Sequence, residues 1–154
     1  WARVVVASAD QNAPKPANPG GNLSMKLKYI NQIDVPFHFR TGNPTTGLSV
    51  RSVGATVSNG SLKLDVDVIR LGNAAFWGKM TATIKNRDGK IMKNNDKPVA
   101  IYKDIIYPMV LDVSTIPSGT YSLELEFSSR RPGLQSQYVL KTNAIQYKQE
   151  ITIP

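Results

Sequence analysis

Apolar and polar residues alternate along most of the 154-residue chain. In "SLKLDVDVIRL", residues 61–71, an apolar residue stands at every second position from Leu62 to Val68, and charged residues fill the positions between. "YSLELEF", residues 121–127, repeats this pattern with Tyr121 and Phe127 at its ends. Successive side chains of a strand point to opposite faces of a sheet, so a period of two predicts strands with one buried face.

Shorter runs rich in β-branched and aromatic residues predict further strands: "SVRSVGATVS", "KMTATIK", "PVAIYK", "PMVLDVS", "QYVLKTNAIQYK" and "EITIP". Turn-forming dipeptides such as Asn59-Gly60 and Asp88-Gly89 separate them, and no window of a dozen residues carries a helical stripe. Short strands with regular turns predict an all-β fold, an Ig-like antiparallel β-sandwich. The Cys…Trp…Cys framework of antibody domains is absent, which leaves Trp77 as a candidate core residue.

Composition narrows the classes of function. A hydrophobic content of 41% is enough for a packed core, and the absence of cysteine excludes disulfides, thiolate catalysis and Cys-ligated zinc. The net charge is +8, but the basic residues are spread along the chain, without the interleaved aromatic residues that bind single-stranded nucleic acid. We therefore expect a solvated basic surface and no nucleic-acid partner. No apolar run approaches the roughly 18 residues of a membrane span.

Candidate catalytic residues are few. His38, the only histidine, stands between two phenylalanines in a strand-like run, which favours a structural role. The carboxylate pairs Asp65/Asp67 and Glu124/Glu126 have the spacing that places two acids on one face of a strand, which could suit a hard cation or acid–base chemistry. The polar faces of half-buried strands explain the same pairs more simply. With no phosphate loop and no nucleophile elbow, we expect neither an enzyme nor a cofactor or metal.

The first 40 residues are organised differently. "WARVVVAS" begins like the middle of a strand, and "DQNAPKPANPGG", residues 10–21, is a Pro- and Gly-rich loop or linker. In the following "NLSMKLKYINQIDVPFHFR", lysines occupy one parity and bulky apolar residues the other, a set that we call the apolar row: Leu23, Met25, Leu27 and Tyr29. We interpret residues 22 to about 33 as an edge strand and residues 35–40 as the start of another, with Pro36 near the break. The row could serve strand addition to a partner, or it could be a plain strand of a sandwich.

This order of strand, Pro-rich loop and long alternating strand resembles the periplasmic chaperones of the chaperone–usher pilus pathway, the PapD-like family. The resemblance implies that residues 1–35 are the remnant of a truncated first Ig-like domain and that residues 36–154 are a second one. It also implies a periplasmic chaperone that completes pilus or fimbrial subunits by donor-strand complementation, with the donor positions Leu23, Met25, Leu27 and Tyr29. The family's basic anchor for a subunit carboxylate, just past the donor strand, has no counterpart among residues 33–36.

The alternative is an extracellular or cell-surface Ig-like module for adhesion or for binding carbohydrate or protein. It would use exposed loops and aromatic residues such as Trp77, Tyr102 and Tyr107. In either case we expect a protein partner or a surface ligand, with no nucleic acid and no membrane span. An exposed edge strand would also allow a homodimer.

Overall fold

The computed structural model describes residues 2–7, 32–37, 41–131 and 133–154. The chain forms two compact units, Trp1–Gly42 and Asn43–Pro154. Within the described ranges, no helix is long and apolar enough to cross a membrane. The strands are β1 (Ala2–Ala7), β2 (Gln32–Phe37), β3 (Thr46–Ser58), β4 (Ser61–Gly72), β5 (Phe76–Lys85), β6 (Ile91–Ile101), β7 (Ile105–Asp112), β8 (Gly119–Ser128) and β9 (Ile145–Ile153).

The first unit contains the antiparallel pair β1 and β2, in which Ala2 is opposite Phe37 and Ala7 is opposite Gln32. The predicted break near Pro36 is wrong, because β2 continues through Pro36, which is opposite Arg3. A strand with a single partner accommodates proline, since an N–H that faces away from that partner is not needed for the ladder. The predicted boundary at residue 35 therefore falls inside β2, and the two units divide after Gly42.

The second unit is an antiparallel β-sandwich, which confirms the predicted fold class. One sheet has the order β3-β4-β7 and the other the order β6-β5-β8-β9. Counted within this unit, the first, second and fifth strands (β3, β4 and β7) share one sheet. The third, sixth and seventh strands (β5, β8 and β9) share the other, as in Ig-like Greek keys. The fourth strand, β6, pairs with the third, β5. In constant-type Ig domains the fourth strand instead belongs to the sheet of the first, second and fifth strands.

The core lies between the inner faces of the two sheets and follows from the alternation in the sequence. Phe76 on β5 and Phe127 on β8 are fully buried and meet edge to face, with ring centroids 6.4 Å apart. Trp77, a candidate core residue, has the outward parity of β5 and is half-buried, because the even positions of this strand face the core. The other fully buried large side chains are Leu62, Leu64, Val66, Val68, Met80, Ile84, Ile101, Leu111, Leu123 and Leu125.

Two local features fix the path of the chain, a tight turn before β4 and a hydrogen bond at the start of β8. Asn59 and Gly60 both have positive φ, of 50° and 70°, so they form the tight turn that joins β3 to β4. At the start of β8, the Tyr121 hydroxyl donates a hydrogen bond of 2.7 Å to the Pro117 carbonyl oxygen. A tyrosine at this position of the sixth strand, bonded to backbone a few residues upstream, is the tyrosine corner of Ig-like sandwiches.

The C-terminal segment departs from the sequence prediction. "QYVLKTNAIQYK" was expected to be one strand, but Ser136–Tyr138 form a 3-10 helix and β9 begins only at Ile145. The strand then runs without interruption into the predicted "EITIP" strand and ends at Ile153. Every residue of β9 from Ile145 to Ile153 is opposite a residue of β8, so β8 sets the length of β9.

Candidate functional site

The apolar row lies outside the described residues: Leu23, Met25, Leu27 and Tyr29. His38 also lies outside them. The structure does describe the strand that follows the row, because β2 begins at Gln32. Among the described strands β2 has one partner, β1, and the opposite side of its backbone pairs with none of them. A strand paired on one side retains the hydrogen-bonding groups that strand addition needs.

The second unit has an open edge, which we define as β3, β9 and the cleft between them. Both strands are at the ends of their sheets, and a cleft of about 410 Å³ lies where the sheets part. On the β3 side it is lined by Val53, Ala55 and Val57, with the buried Leu62 beside them. On the β9 side its lining is mostly polar, with Gln149, Glu150 and Thr152 around Ile151. The cleft thus lies between two strand edges that no described strand pairs, the arrangement that a further β-strand would fit.

β3 has few of the residues that usually protect an edge strand from pairing with another strand. Its sequence "TGLSVRSVGATVS" contains no lysine and no proline, and Arg51 is its only charged residue. The register with β4 shifts between Val50 and Ser52, so Arg51 lies in a bulge and its guanidinium pairs with Asp67 at 3.2 Å. A bulge interrupts pairing locally, but residues 53–58 continue as regular strand beside the cleft.

The opposite edge of the sandwich, formed by β6 and β7, is closed. Each of these edge strands contains a proline, Pro98 in β6 and Pro108 in β7. Lys97 donates to the Pro108 carbonyl at 3.3 Å, Tyr107 donates to the Pro98 carbonyl at 3.4 Å, and the Lys97 ammonium lies 5.0 Å from the Tyr107 ring centroid. Prolines and these cross-sheet contacts block strand addition here, so the free edges of the sandwich are on the other side.

The outer face of the four-stranded sheet is a network of ion pairs. Glu124 on β8 lies between Lys85 on β5 and Lys148 on β9 and pairs with both. The hydrogen bond from Lys85, reinforced by Lys148, lowers the pKa of Glu124 against the opposing effect of desolvation. On the same face, hydrogen bonds from Lys79 and then Thr81 lower the pKa of Asp96. These carboxylates are therefore held ionised by neighbours on adjacent strands, which is typical of a solvated, charge-paired sheet face.

The two carboxylate pairs do not converge on one site. Asp65 and Asp67 are on the outward parity of β4, whereas Glu124 and Glu126 are on the outward parity of β8. Because β4 and β8 belong to different sheets, the pairs face away from each other across the sandwich. In the described ranges no group of three or more His, Cys, Asp or Glu side chains is arranged to hold a metal ion.

The aromatic residues proposed for an adhesion surface are also divided. Trp77 is on the outer face of β5, where the Arg131 guanidinium lies 5.7 Å from its ring centroid. Tyr102, just past the end of β6, is 46% exposed. Tyr107, in contrast, has the inward parity of β7 and its hydroxyl belongs to the closed edge. The three side chains therefore do not share one surface.

The sequence analysis did not predict the open edge, because the composition of β3 gives only indirect evidence for it. The lack of lysine and proline in β3 marks an unprotected strand, but its sequence does not say that β9 is its neighbour across the cleft. Comparison of the chain with protein-family models, with curated proteins and with solved structures found no match.

Proposed function

We propose that this is a non-enzymatic, exported protein of the chaperone type, which binds pilus or other surface-fibre subunits by donating a β-strand. The observation that carries the proposal is the one-sided pairing of β2, directly after the apolar row in sequence. β1 occupies one side of β2, and no described strand occupies the other. Strand addition requires such a free backbone edge.

The sequence of β2 resumes the apolar parity of the row after the polar Asn31. The apolar row uses odd-numbered positions, and the odd-numbered positions of β2 are Ile33, Val35 and Phe37. Backbone hydrogen bonds to a subunit would supply affinity, and the bulky row side chains would supply selectivity by entering pockets at every second position. Lys26 and Lys28, on the other parity, oppose self-association of the same edge because like charges repel.

The second unit supports the same class of function. It is a stable sandwich scaffold whose carboxylates are used in ion pairs or separated on opposite faces. Its open edge adds a cleft beside two strands that no described strand pairs on that side, a surface suited to an added β-strand. A periplasmic location follows from the chaperone proposal, and an extracellular location from its alternative.

The test is a binding titration of the chain with a fimbrial subunit that lacks its own last strand. The double variant Leu27→Ala and Tyr29→Ala removes two large anchors from the row, and we expect the Kd to rise by more than about tenfold. The matched control, Lys26→Ala with Lys28→Ala, truncates two side chains of the opposite parity and should leave the Kd within a few fold. If the two double variants bind equally well, the row does not contact the subunit and donor-strand binding is wrong.

The adhesion module is the second candidate, because Tyr102 is exposed and Trp77 is on the outer face of β5. It predicts that Tyr102→Ala weakens binding to a glycan or protein ligand and that the row variants do not. The geometry gives it less support, since Tyr107 belongs to the closed edge and does not extend this surface. Measuring both sets of variants against the same immobilised ligand separates the two functions.

A further inference from the structure

One edge of β9 is not paired by any strand in the part of the chain that the structure describes, and the charges of β9 are placed symmetrically about its centre. All nine residues from Ile145 to Ile153 are opposite residues of β8 on one side, and β9 is the last strand of its sheet on the other. Lys148 and Glu150 are its only charged residues, and both are exposed on the outer face. Gln149, between them, is the midpoint of the strand.

Two copies of β9 can pair antiparallel about a two-fold axis through Gln149. In that register Ile145 of one copy is opposite Ile153 of the other, so the full strand is used on both sides. Directly opposite residues of an antiparallel pair share a face, and the register places Lys148 of each copy opposite Glu150 of the other. The register with the longest overlap therefore also forms two cross-strand ion pairs.

The neighbouring registers are disfavoured by the same charges. A shift of two residues, the smallest that keeps the inner face inward, places either Lys148 opposite Lys148 or Glu150 opposite Glu150. Like charges directly opposite each other destabilise an antiparallel pair. The charge pattern thus favours the register of full overlap over its two nearest neighbours.

The carboxylate of Glu150 is available for this contact. Lys148 already pairs with Glu124 at 3.2 Å, but Glu150 makes no ion pair or side-chain hydrogen bond within the part of the chain that the structure describes. The two-fold axis is perpendicular to the sheet, so the β3 strands of both copies lie on the same side of the joined sheets. The two clefts then lie on the same side of the joined sheets as well.

From this geometry we propose that β9 is a homodimerisation edge: a second copy of this chain pairs antiparallel with it and extends the four-stranded sheet into an eight-stranded one across the two-fold axis. The occupant is another copy because the complementary charges are both supplied by β9 itself. β9 and the apolar row are different segments of the sequence, so substitutions in one leave the residues of the other unchanged.

The test uses two charge-reversal variants, Lys148→Glu and Glu150→Lys, measured by sedimentation equilibrium from about 1 µM to about 1 mM at physiological salt. The unaltered chain is expected to dimerise within this range. Each variant alone places like charges opposite each other twice per dimer, and its dimer Kd should rise by about tenfold or more. An equimolar mixture of the two variants restores opposite charges at both positions, and it should form a heterodimer.

Lys63→Glu and Asp65→Lys are the matched controls. These residues have the same spacing on β4, a strand paired on both sides, and their reversal changes the net charge equally. They should leave the dimer Kd within about twofold of the unaltered chain. A monomeric unaltered chain throughout the range overturns the proposal, as does a mixture that associates no better than its separate components. Circular dichroism confirms that each variant is folded before its mass is read.

Discussion

Removing the Tyr121 hydroxyl is the most direct test of what holds the second unit in its Ig-like path. The hydroxyl donates to the Pro117 carbonyl at 2.7 Å, and the side chain is only 8% exposed. Tyr121→Phe keeps the ring and deletes one hydrogen bond, leaving the Pro117 carbonyl without that donor. A hydrogen bond of this kind contributes about 1 kcal/mol net, and an acceptor left unsatisfied raises the loss to about 1–2 kcal/mol.

The expected shift in melting temperature follows from the size of the unit. Asn43–Pro154 comprises about 110 residues, for which the unfolding entropy is about 0.23 kcal/mol/K. A loss of about 1–2 kcal/mol therefore lowers the Tm by about 4–8 °C. Urea denaturation followed by circular dichroism should show a lower midpoint with an unchanged slope, since the variant exposes no more surface on unfolding.

Tyr107 provides a matched control within the same chain. Its hydroxyl also donates to a proline carbonyl, that of Pro98, but at 3.4 Å and in an exposed position. Such a long, hydrated bond contributes little, so Tyr107→Phe should cost less than about 0.5 kcal/mol and lower the Tm by no more than about 2 °C. Equal losses in the two variants would refute the idea that the corner at Tyr121 stabilises the sandwich more than an ordinary surface bond.

Two further changes test the packing and the electrostatics of the four-stranded sheet. A Cβ at Gly78 would overlap the Ser128 carbonyl oxygen, so Gly78→Ala should cost more than about 2 kcal/mol of unfolding free energy. A Cβ at Gly54 would lie 3.7 Å from the Asp65 Cβ, so Gly54→Ala should be near neutral by urea titration. The hydrogen bond from Lys85 is the main cause of the lowered pKa of Glu124. The ionised carboxylate therefore stabilises the folded chain fully above the pKa that Glu124 has in the unfolded chain, and this stabilisation is lost as the pH falls through its pKa in the folded chain. Glu124→Gln should therefore be less stable than the unaltered chain at pH 7 and equally stable near pH 2, and a difference that persists in acid would contradict the ion-pair explanation.

The fold was predictable because alternation survives in the strands that define the core. β4 and β8 bury every second residue as the sequence predicts, since each is covered on one face by the other sheet. Trp77 was ambiguous for a local reason: Phe76 and Trp77 are adjacent and both apolar, and only the parity of Met80, further along β5, identifies Phe76 as the inward residue.

The candidate site was less predictable, because it depends on which strands become neighbours. The cleft brings Val53 next to Ile151, residues that are far apart in the chain, and no local pattern encodes that approach. The bulge at Arg51 also shifts the alternation of β3 by one position, which hides its inward residues from a search for strict period two. The apolar row stays a sequence-based prediction.

The order of strand pairing has a consequence for how the second unit folds. β3 and β4 are joined by the tight turn at Asn59-Gly60, and β5 and β6 by a short loop, so these hairpins close quickly. The pairings of β4 with β7 and of β5 with β8 join strands that are distant in the chain, and closing those long loops sets the folding rate. Because synthesis proceeds from the N-terminus, both hairpins emerge from the ribosome before β7 and β8 do, with β4 and β5 as uncovered edges. The strands at the centre of each finished sheet are thus the ones most in need of protection in the nascent chain.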